Sequence, residues 1–316
     1  MRRLTSISGF ILLALAMSGV SVARAQTLNA TTNTGWTTWT FGSGSMVDFL
    51  GDQQTGQGAD DFVGDNGIFT MASQAGTTSF APTTDYLFFR ARMEEYSADD
   101  KWGNGGNWGI GMDLDGDGDM DMIVMMSESA GNVNNRTRTV TFGTRGTGAN
   151  TGPSTTTWSF ASQTAITLTL NQTYDLQSAT AVDGQSYGGD ADAWLTFGLS
   201  FAQLQTAIRT YADNDANPAT TSPFASYTLT YDSRIAMISF TSTQNNALNQ
   251  DLAGVNGGTS STLTFSALGA ITPQMGPGGY VPEPATYAQI GVLLSVAGFI
   301  VYRRRKKSGM APTRAS

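Results

Sequence analysis

The chain has 316 residues, with 17 Lys and Arg against 25 Asp and Glu, a formal net charge of −8, and neither Cys nor His. Those two absences exclude disulfides, thiolate or imidazole metal sites, cysteine nucleophiles and any Ser-His-Asp triad. The basic residues gather at the two ends, so the stretch 26–280 carries a net charge of −16; such a body repels phosphate backbones and argues against nucleic-acid binding.

Residues 1–25 read as a cleaved secretory signal peptide. Arg2-Arg3 supply a positive start, Phe10 to Val22 an apolar core, and Ala23-Arg24-Ala25 a small-x-small cleavage site before Gln26. The apolar stretch is interrupted by Ser18 and Gly19 and is too short for a bilayer span. Export by the general secretory route is the expectation.

The body, residues 26–270, is rich in Thr, Ser, Asn and Gly and alternates with a period of two. Trp36–Phe41, Tyr86–Met93, Thr137–Phe142, Thr156–Phe160, Ala165–Leu170, Ala193–Leu199, Tyr227–Tyr231, Ile235–Thr241 and Thr262–Phe265 all read as strands separated by turn-forming clusters. About a dozen short strands without a fixed repeat suit a mainly β fold, an antiparallel β-sandwich or jelly-roll-like body. One segment departs from this. Ser200–Tyr211 places Phe201, Leu204, Ile208 and Tyr211 on one helical face, and Ser200 with Gln203 forms a capping box, which predicts one short helix on the sandwich.

The chemically loaded stretch is 113–121, where Asp113, Asp115, Asp117, Asp119 and Asp121 alternate with Leu114, Gly116, Gly118 and Met120. Calcium takes six to eight hard oxygens at about 2.3–2.6 Å, and a loop with carboxylates at positions 1, 3 and 5 wraps it if the chain turns sharply at position 6. Gly118 stands there; Asp119 is placed to ligate through its carbonyl, and Asp121 directly or through water. Five carboxylates this close repel one another, so a cation is the expected cofactor, and calcium fits the donor count better than magnesium. The loop resembles the calcium-binding hairpin loops of extracellular β-rich proteins. It departs from an EF-hand, since position 12 is Val124 instead of Glu and both flanks, Trp108–Met112 and Met122–Met126, look like strands. The methionines at 120, 122, 125 and 126 read as core filling around that hairpin.

Other acidic groups, Asp60-Asp61 with Asp65, Asp190 with Asp192, and Asp213-Asn214-Asp215, are weaker signals that serve turns as readily as ions. The body's only Glu residues are Glu94, Glu95 and Glu128 and its only Lys is Lys101. None frames a catalytic pair, and the expectation is that the protein is not an enzyme. Aromatic side chains offer a different chemistry. Trp102 and Trp108, which flank the Gly-Asn-rich run 103–107, are candidate stacking faces for a sugar if they face solvent, with Trp36, Trp39 and Tyr187 as further candidates.

The C-terminus carries the most specific string, Val281-Pro282-Glu283-Pro284-Ala285-Thr286-Tyr287-Ala288, after a linker at 271–280. An apolar run, Ala285 to Tyr302, is long enough as a helix, about 27 Å, to span a thin hydrocarbon core as a transmembrane helix. Arg303-Arg304-Arg305-Lys306-Lys307 behind it would hold 308–316 as a cytoplasmic tail. Pro282 and Pro284 keep the junction extended and accessible.

This order of elements over 281–307 resembles the PEP-CTERM sorting domain of Gram-negative bacteria. The resemblance implies recognition of Pro282, Glu283 and Pro284 by an exosortase, a membrane-anchored precursor, and delivery to the cell envelope or to an extracellular matrix of exopolysaccharide. The function expected from the whole sequence is that of an exported, calcium-binding structural or adhesive protein, with a lectin-like carbohydrate-binding module as the alternative.

Overall fold

The computed structural model describes residues 27–277, apart from 55–57, 65–67, 96–105, 129–136, 147–149, 161–163, 181–190 and 215–219. The chain divides into two units, Met1–Gly279 and Tyr280–Ser316, and every described residue belongs to the first. The expected signal peptide and the whole sorting tail lie outside the described residues. Among the described residues, no helix is long and apolar enough to cross a membrane.

The strands are β1 (Thr37–Thr38), β2 (Met71–Thr77), β3 (Asp85–Met93), β4 (Asn107–Asp113), β5 (Met122–Glu128), β6 (Arg138–Arg145), β7 (Trp158–Ser159), β8 (Ile166–Thr167), β9 (Tyr174–Ala179), β10 (Asp192–Ser200) and β11 (Ala236–Ser242). They form two antiparallel sheets, one in the order β1-β2-β3-β10-β9 and the other β11-β4-β5-β6-β7, with β8 also paired to β6. The protein is therefore mainly β, as its alternating sequence predicts.

Period-2 patterning decides which face of each strand meets the other sheet. Leu87, Phe89, Ala91 and Met93 of β3 and Leu195, Phe197 and Leu199 of β10 share one core with Trp108, Ile110 and Met112 of β4 and Met122, Val124 and Met126 of β5. The rings of Trp108 and Phe197 meet edge to face across it, with centroids 4.8 Å apart. Two serines lie in this apolar layer because each accepts from an indole: Trp39 Nε1 donates to Ser73 Oγ (3.0 Å) and Trp108 Nε1 to Ser239 Oγ (2.9 Å).

The second sheet is buried on its other face as well. There Ile123, Met125, Ile238 and Phe240 pack under Trp158, Leu248, Leu252, Phe265 and Ala270, supplied by segments outside the sheet's central strands. Burial on both faces explains why Met122–Met126 is continuously apolar. It also explains the glycines of β4: a Cβ at Gly109 would lie 2.2 Å from Phe240 Cζ, and one at Gly111 would lie 1.9 Å from Met120 Sδ. The methionines at 120, 122, 125 and 126 are all buried in these two layers.

Helix α1 (Phe201–Tyr211) continues directly from β10. Its capping box is made in full: Gln203 N donates to Ser200 Oγ (3.2 Å) and Ser200 N to Gln203 Oε1 (2.9 Å). Leu204 and Ile208 are buried, while Phe201 and Tyr211 pack at the margin of the main core.

Two expected strands are not strands. Over Tyr227–Tyr231, main-chain groups bond to helix side chains instead: Arg209 Nε donates to Tyr227 O (2.6 Å) and Leu229 N to Gln205 Oε1 (3.0 Å). Thr262–Phe265 leads into a short helix, α2 (Phe265–Leu268), whose first turn is capped by Thr264 Oγ1 and which ends at Gly269 with φ 77°. The described part of the expected linker, 271–277, is docked on the body. Met275 exchanges both main-chain bonds with Ile235 (3.0 Å each), and Thr272 N donates to Met237 O (2.9 Å).

Candidate metal centre

The hairpin joining β4 to β5 carries the acidic loop. Asp113 ends β4 and Asp121 immediately precedes β5, so both are buried at the base, 2 % and 5 % exposed, whereas Asp115 and Asp117 stand in solvent. The backbone reverses through Gly116 (φ 85°) and Gly118 (φ 95°), conformations that side chains rarely adopt. At Gly118 there is open space for a Cβ, so its requirement is conformational. At Gly116 a Cβ would also lie 2.4 Å from Gln274 Nε2.

The loop holds its shape through its own carboxylates. Asp113 Oδ1 accepts from Gly116 N (2.6 Å) and Oδ2 from Gly118 N (3.0 Å). Asp115 Oδ1 accepts from Asp117 N (3.2 Å), Asp117 Oδ1 from Asp119 N (2.8 Å), and Asp121 Oδ2 from Leu114 N (2.6 Å). Asp113, Asp115 and Asp117 each bring one carboxylate oxygen within 4.8 Å of the others. Oxygens shared around a cation at about 2.3–2.6 Å stand no more than about 5 Å apart, so the three fit one ion; each oxygen that accepts an N–H keeps a lone pair for it.

The other two aspartates are placed differently. Asp119 turns its side chain to Arg145 of β6 (3.5 Å), which also holds Asp213 (2.9 Å). Its expected role through the main chain needs no side chain. Asp121 stays at the base of the hairpin, where Asp213 N donates to its carbonyl (2.7 Å) and ties the end of α1 to the loop. Burial pushes the Asp121 carboxyl up to about 8, reinforced by the charges of Asp115, Asp113 and Asp117. Burial also raises Asp113, against the two glycine N–H groups that favour its ionised form, and raises Asp119, helped by Asp117. A bound cation would supply the missing positive charge and favour all three carboxylates.

The aromatic candidates fare unevenly. Trp108 is fully buried between the sheets and presents no stacking face, because its even position on β4 points to the core. Trp39 is likewise buried, and Trp102 and Tyr187 lie outside the described residues. Trp36 instead joins a surface cleft of about 450 Å³ on the outer face of the first sheet, with Phe69, Trp194, Asn33, Arg90 and Gln177. Phe69 and Trp194 lie 4.9 Å apart, and the Arg90 guanidinium sits 4.4 Å from the Trp36 ring. Arg90 is fixed there by Thr196 Oγ1 (2.9 Å), Asn33 Oδ1 (3.0 Å) and Ala30 O (3.0 Å). Sequence spacing gave no signal for Phe69 or Trp194; the cross-strand register that sets Trp194 opposite Arg92 and Gln177 is nonlocal.

Of the weaker acidic groups, Asp192 pairs with Arg92 (2.7 Å) and Asp213 with Arg145, while Asp65, Asp190 and Asp215 lie outside the described residues. Compared with known proteins, the chain matches no family model, no curated sequence and no solved structure.

Proposed function

We propose that the protein is an exported, calcium-binding structural or adhesive component of the cell envelope or exopolysaccharide matrix. The observation that carries this reading is the convergence of Asp113, Asp115 and Asp117 on a hairpin whose two strands, β4 and β5, are interior to the second sheet and almost wholly buried. An ion there would brace the body from one end, a role suited to millimolar calcium outside a cell. The tail supports the sorting half of the reading: Pro282-Glu283-Pro284, the apolar run to Tyr302 as a membrane-spanning precursor anchor, and the basic cluster behind it are the elements an exosortase would use. Export through the N-terminal signal precedes both.

Fractionation of the producing cells tests the sorting half. Replacing Pro282, Glu283 and Pro284 with Ala should leave export intact and retain the protein in the inner membrane; normal surface or matrix delivery of that variant would refute it. Matrix cohesion tests the structural half. A strain lacking the protein should regain calcium-dependent cohesion with the wild-type chain and not with Asp115→Ala/Asp117→Ala, and full rescue by that variant would refute it.

The cleft at Trp36, Phe69 and Trp194 favours a second reading, a carbohydrate-binding module. Sugars stack on aromatic faces while fixed polar groups read their hydroxyls, and this cleft combines the two. A glycan array on the protein should give a specific signal that Trp194→Ala abolishes. A signal insensitive to that change would place sugar binding elsewhere.

A further inference from the structure

A second group of acids lies apart from the hairpin, where a loop near the N-terminus of the body meets the C-terminal segment that covers the second sheet. Asp48, Asp52 and Asp251 each place a carboxylate oxygen within 4.8 Å of the others. Asp52 also interacts with the carboxyl group of Asp61. Asp48 is 6 % exposed, Asp61 and Asp251 are 0 %, and Asp52 is half-buried.

Main-chain N–H groups satisfy part of this cluster. Phe62 N donates to Asp251 Oδ2 (2.6 Å), Leu252 N to Asp251 Oδ1 (2.6 Å), Gly51 N to Asp61 Oδ2 (2.7 Å), Gly257 N to Asp52 Oδ2 (2.5 Å) and Phe49 N to Asp48 Oδ1 (3.1 Å). Three carboxylate oxygens, Asp48 Oδ2, Asp52 Oδ1 and Asp61 Oδ1, are buried without any hydrogen-bond partner. Among the described residues, no Lys or Arg forms an ion pair with any of the four aspartates. Buried carboxylates without a counter-charge are strongly unfavourable, and unpartnered oxygens facing one another are the more so. Burial first, and then mutual repulsion, drives Asp48 and Asp251 well above the usual carboxylate range.

We infer that Asp48, Asp52 and Asp251, with Asp61 beside them, form a buried site for one hard divalent cation, calcium by its donor set. All donors are oxygen, three carboxylates converge, and the spacing of their oxygens matches ligands about 2.3–2.6 Å from one centre. Magnesium prefers to keep several of its waters and is held by one or two carboxylates, which suits a closed cluster of three carboxylates poorly. The half-buried Asp52 gives the ion its way in. The site joins parts of the chain far apart in sequence, since Phe62 bonds to Asp251, Gln54 N to Gln250 O (3.1 Å) and Thr241 Oγ1 to Asp60 O (2.5 Å). Its ion acts as a cross-link between residues 48–52 and the 250–257 cover, stabilising the native state by binding it and not the unfolded chain.

The inference stands independently of the hairpin, and the test separates them. Calcium is titrated calorimetrically into purified full-length protein, decalcified by chelation, in the Asp115→Ala/Asp117→Ala variant whose buried cluster is intact. That variant is expected to take up one calcium ion per chain, with magnesium competing weakly. Adding Asp48→Asn or, at the more tolerant half-buried position, Asp52→Asn should weaken this uptake at least tenfold, about 1.4 kcal/mol. If the hairpin binds nothing, the wild type and the loop variant will both take up the same single ion. Failure of the loop variant to take up any calcium overturns the inference, as does uptake that neither Asn substitution alters.

Discussion

Removing two charges from the acidic hairpin should erase a defined share of the protein's calcium response. The perturbation is Asp115→Ala with Asp117→Ala: both side chains are exposed, so the change costs no core packing. It deletes two of the three convergent donors and leaves Asp113 bonded to Gly116 and Gly118. Extracellular calcium modules commonly bind with Kd of roughly 10⁻⁴ to 10⁻³ M. At about 2 mM calcium, RT ln(1 + [L]/Kd) then gives about 0.6–1.8 kcal/mol for the hairpin. For a body of this size about 1 kcal/mol moves Tm by roughly 2–4 °C, so the hairpin's share is a shift of a few degrees. The assay is thermal unfolding in EDTA and in calcium for the wild type and the variant. The variant should show a calcium-induced shift smaller by that amount, with the remainder removed by further substitution at Asp48. Without calcium the variant loses the turn bonds to Asp117 N and Asp119 N together with the repulsion on Asp121 and Asp113, so its own Tm in EDTA is the baseline from which its calcium shift is read. An equal calcium shift in both proteins would refute the hairpin as an ion site.

Three further outcomes follow from the packing. Trp108→Ala, which empties a fully buried position and removes the indole donor to Ser239 Oγ, should lower stability by about 3–5 kcal/mol in urea denaturation; a change under about 1 kcal/mol would return Trp108 to the surface. Gly109→Ala should destabilise by about 1–3 kcal/mol, because the new methyl meets the Phe240 ring under the outer cover, and a rise in Tm would contradict that close approach. Ser200→Ala removes the Oγ that accepts from Gln203 N, while the main-chain bond from Ser200 N to Gln203 Oε1 stays, and should cost about 1 kcal/mol by the same assay, whereas Ser200→Thr should recover most of it.

Local pattern in the sequence determined a large part of this protein. The alternation in Tyr86–Met93, Ala193–Leu199 and Ile235–Thr241 specified strands and their inward faces, since a period of two fixes which side chains meet the core. The Ser200 and Gln203 pair announced its helix because a cap is made within four residues. The Asp113–Asp121 spacing likewise placed three carboxylates together, being confined to a single hairpin.

What tertiary structure alone decided involves partners distant in the chain. The polar, small-residue stretch Met71–Thr77 is a strand because β1 and β3 bond to it on either side, and its Ser73 is buried because Trp39 donates to it. Trp108 faces the core by its register between β11 and β5, although glycines and asparagines precede it in the sequence. The segment 271–277 is docked by Ile235 and Met237. The buried aspartate cluster had no local signature, because Asp48 and Asp52 meet Asp251 only when the C-terminal cover closes over the second sheet; burial, which sets these carboxylates apart from ordinary loop acids, is a property no spacing encodes.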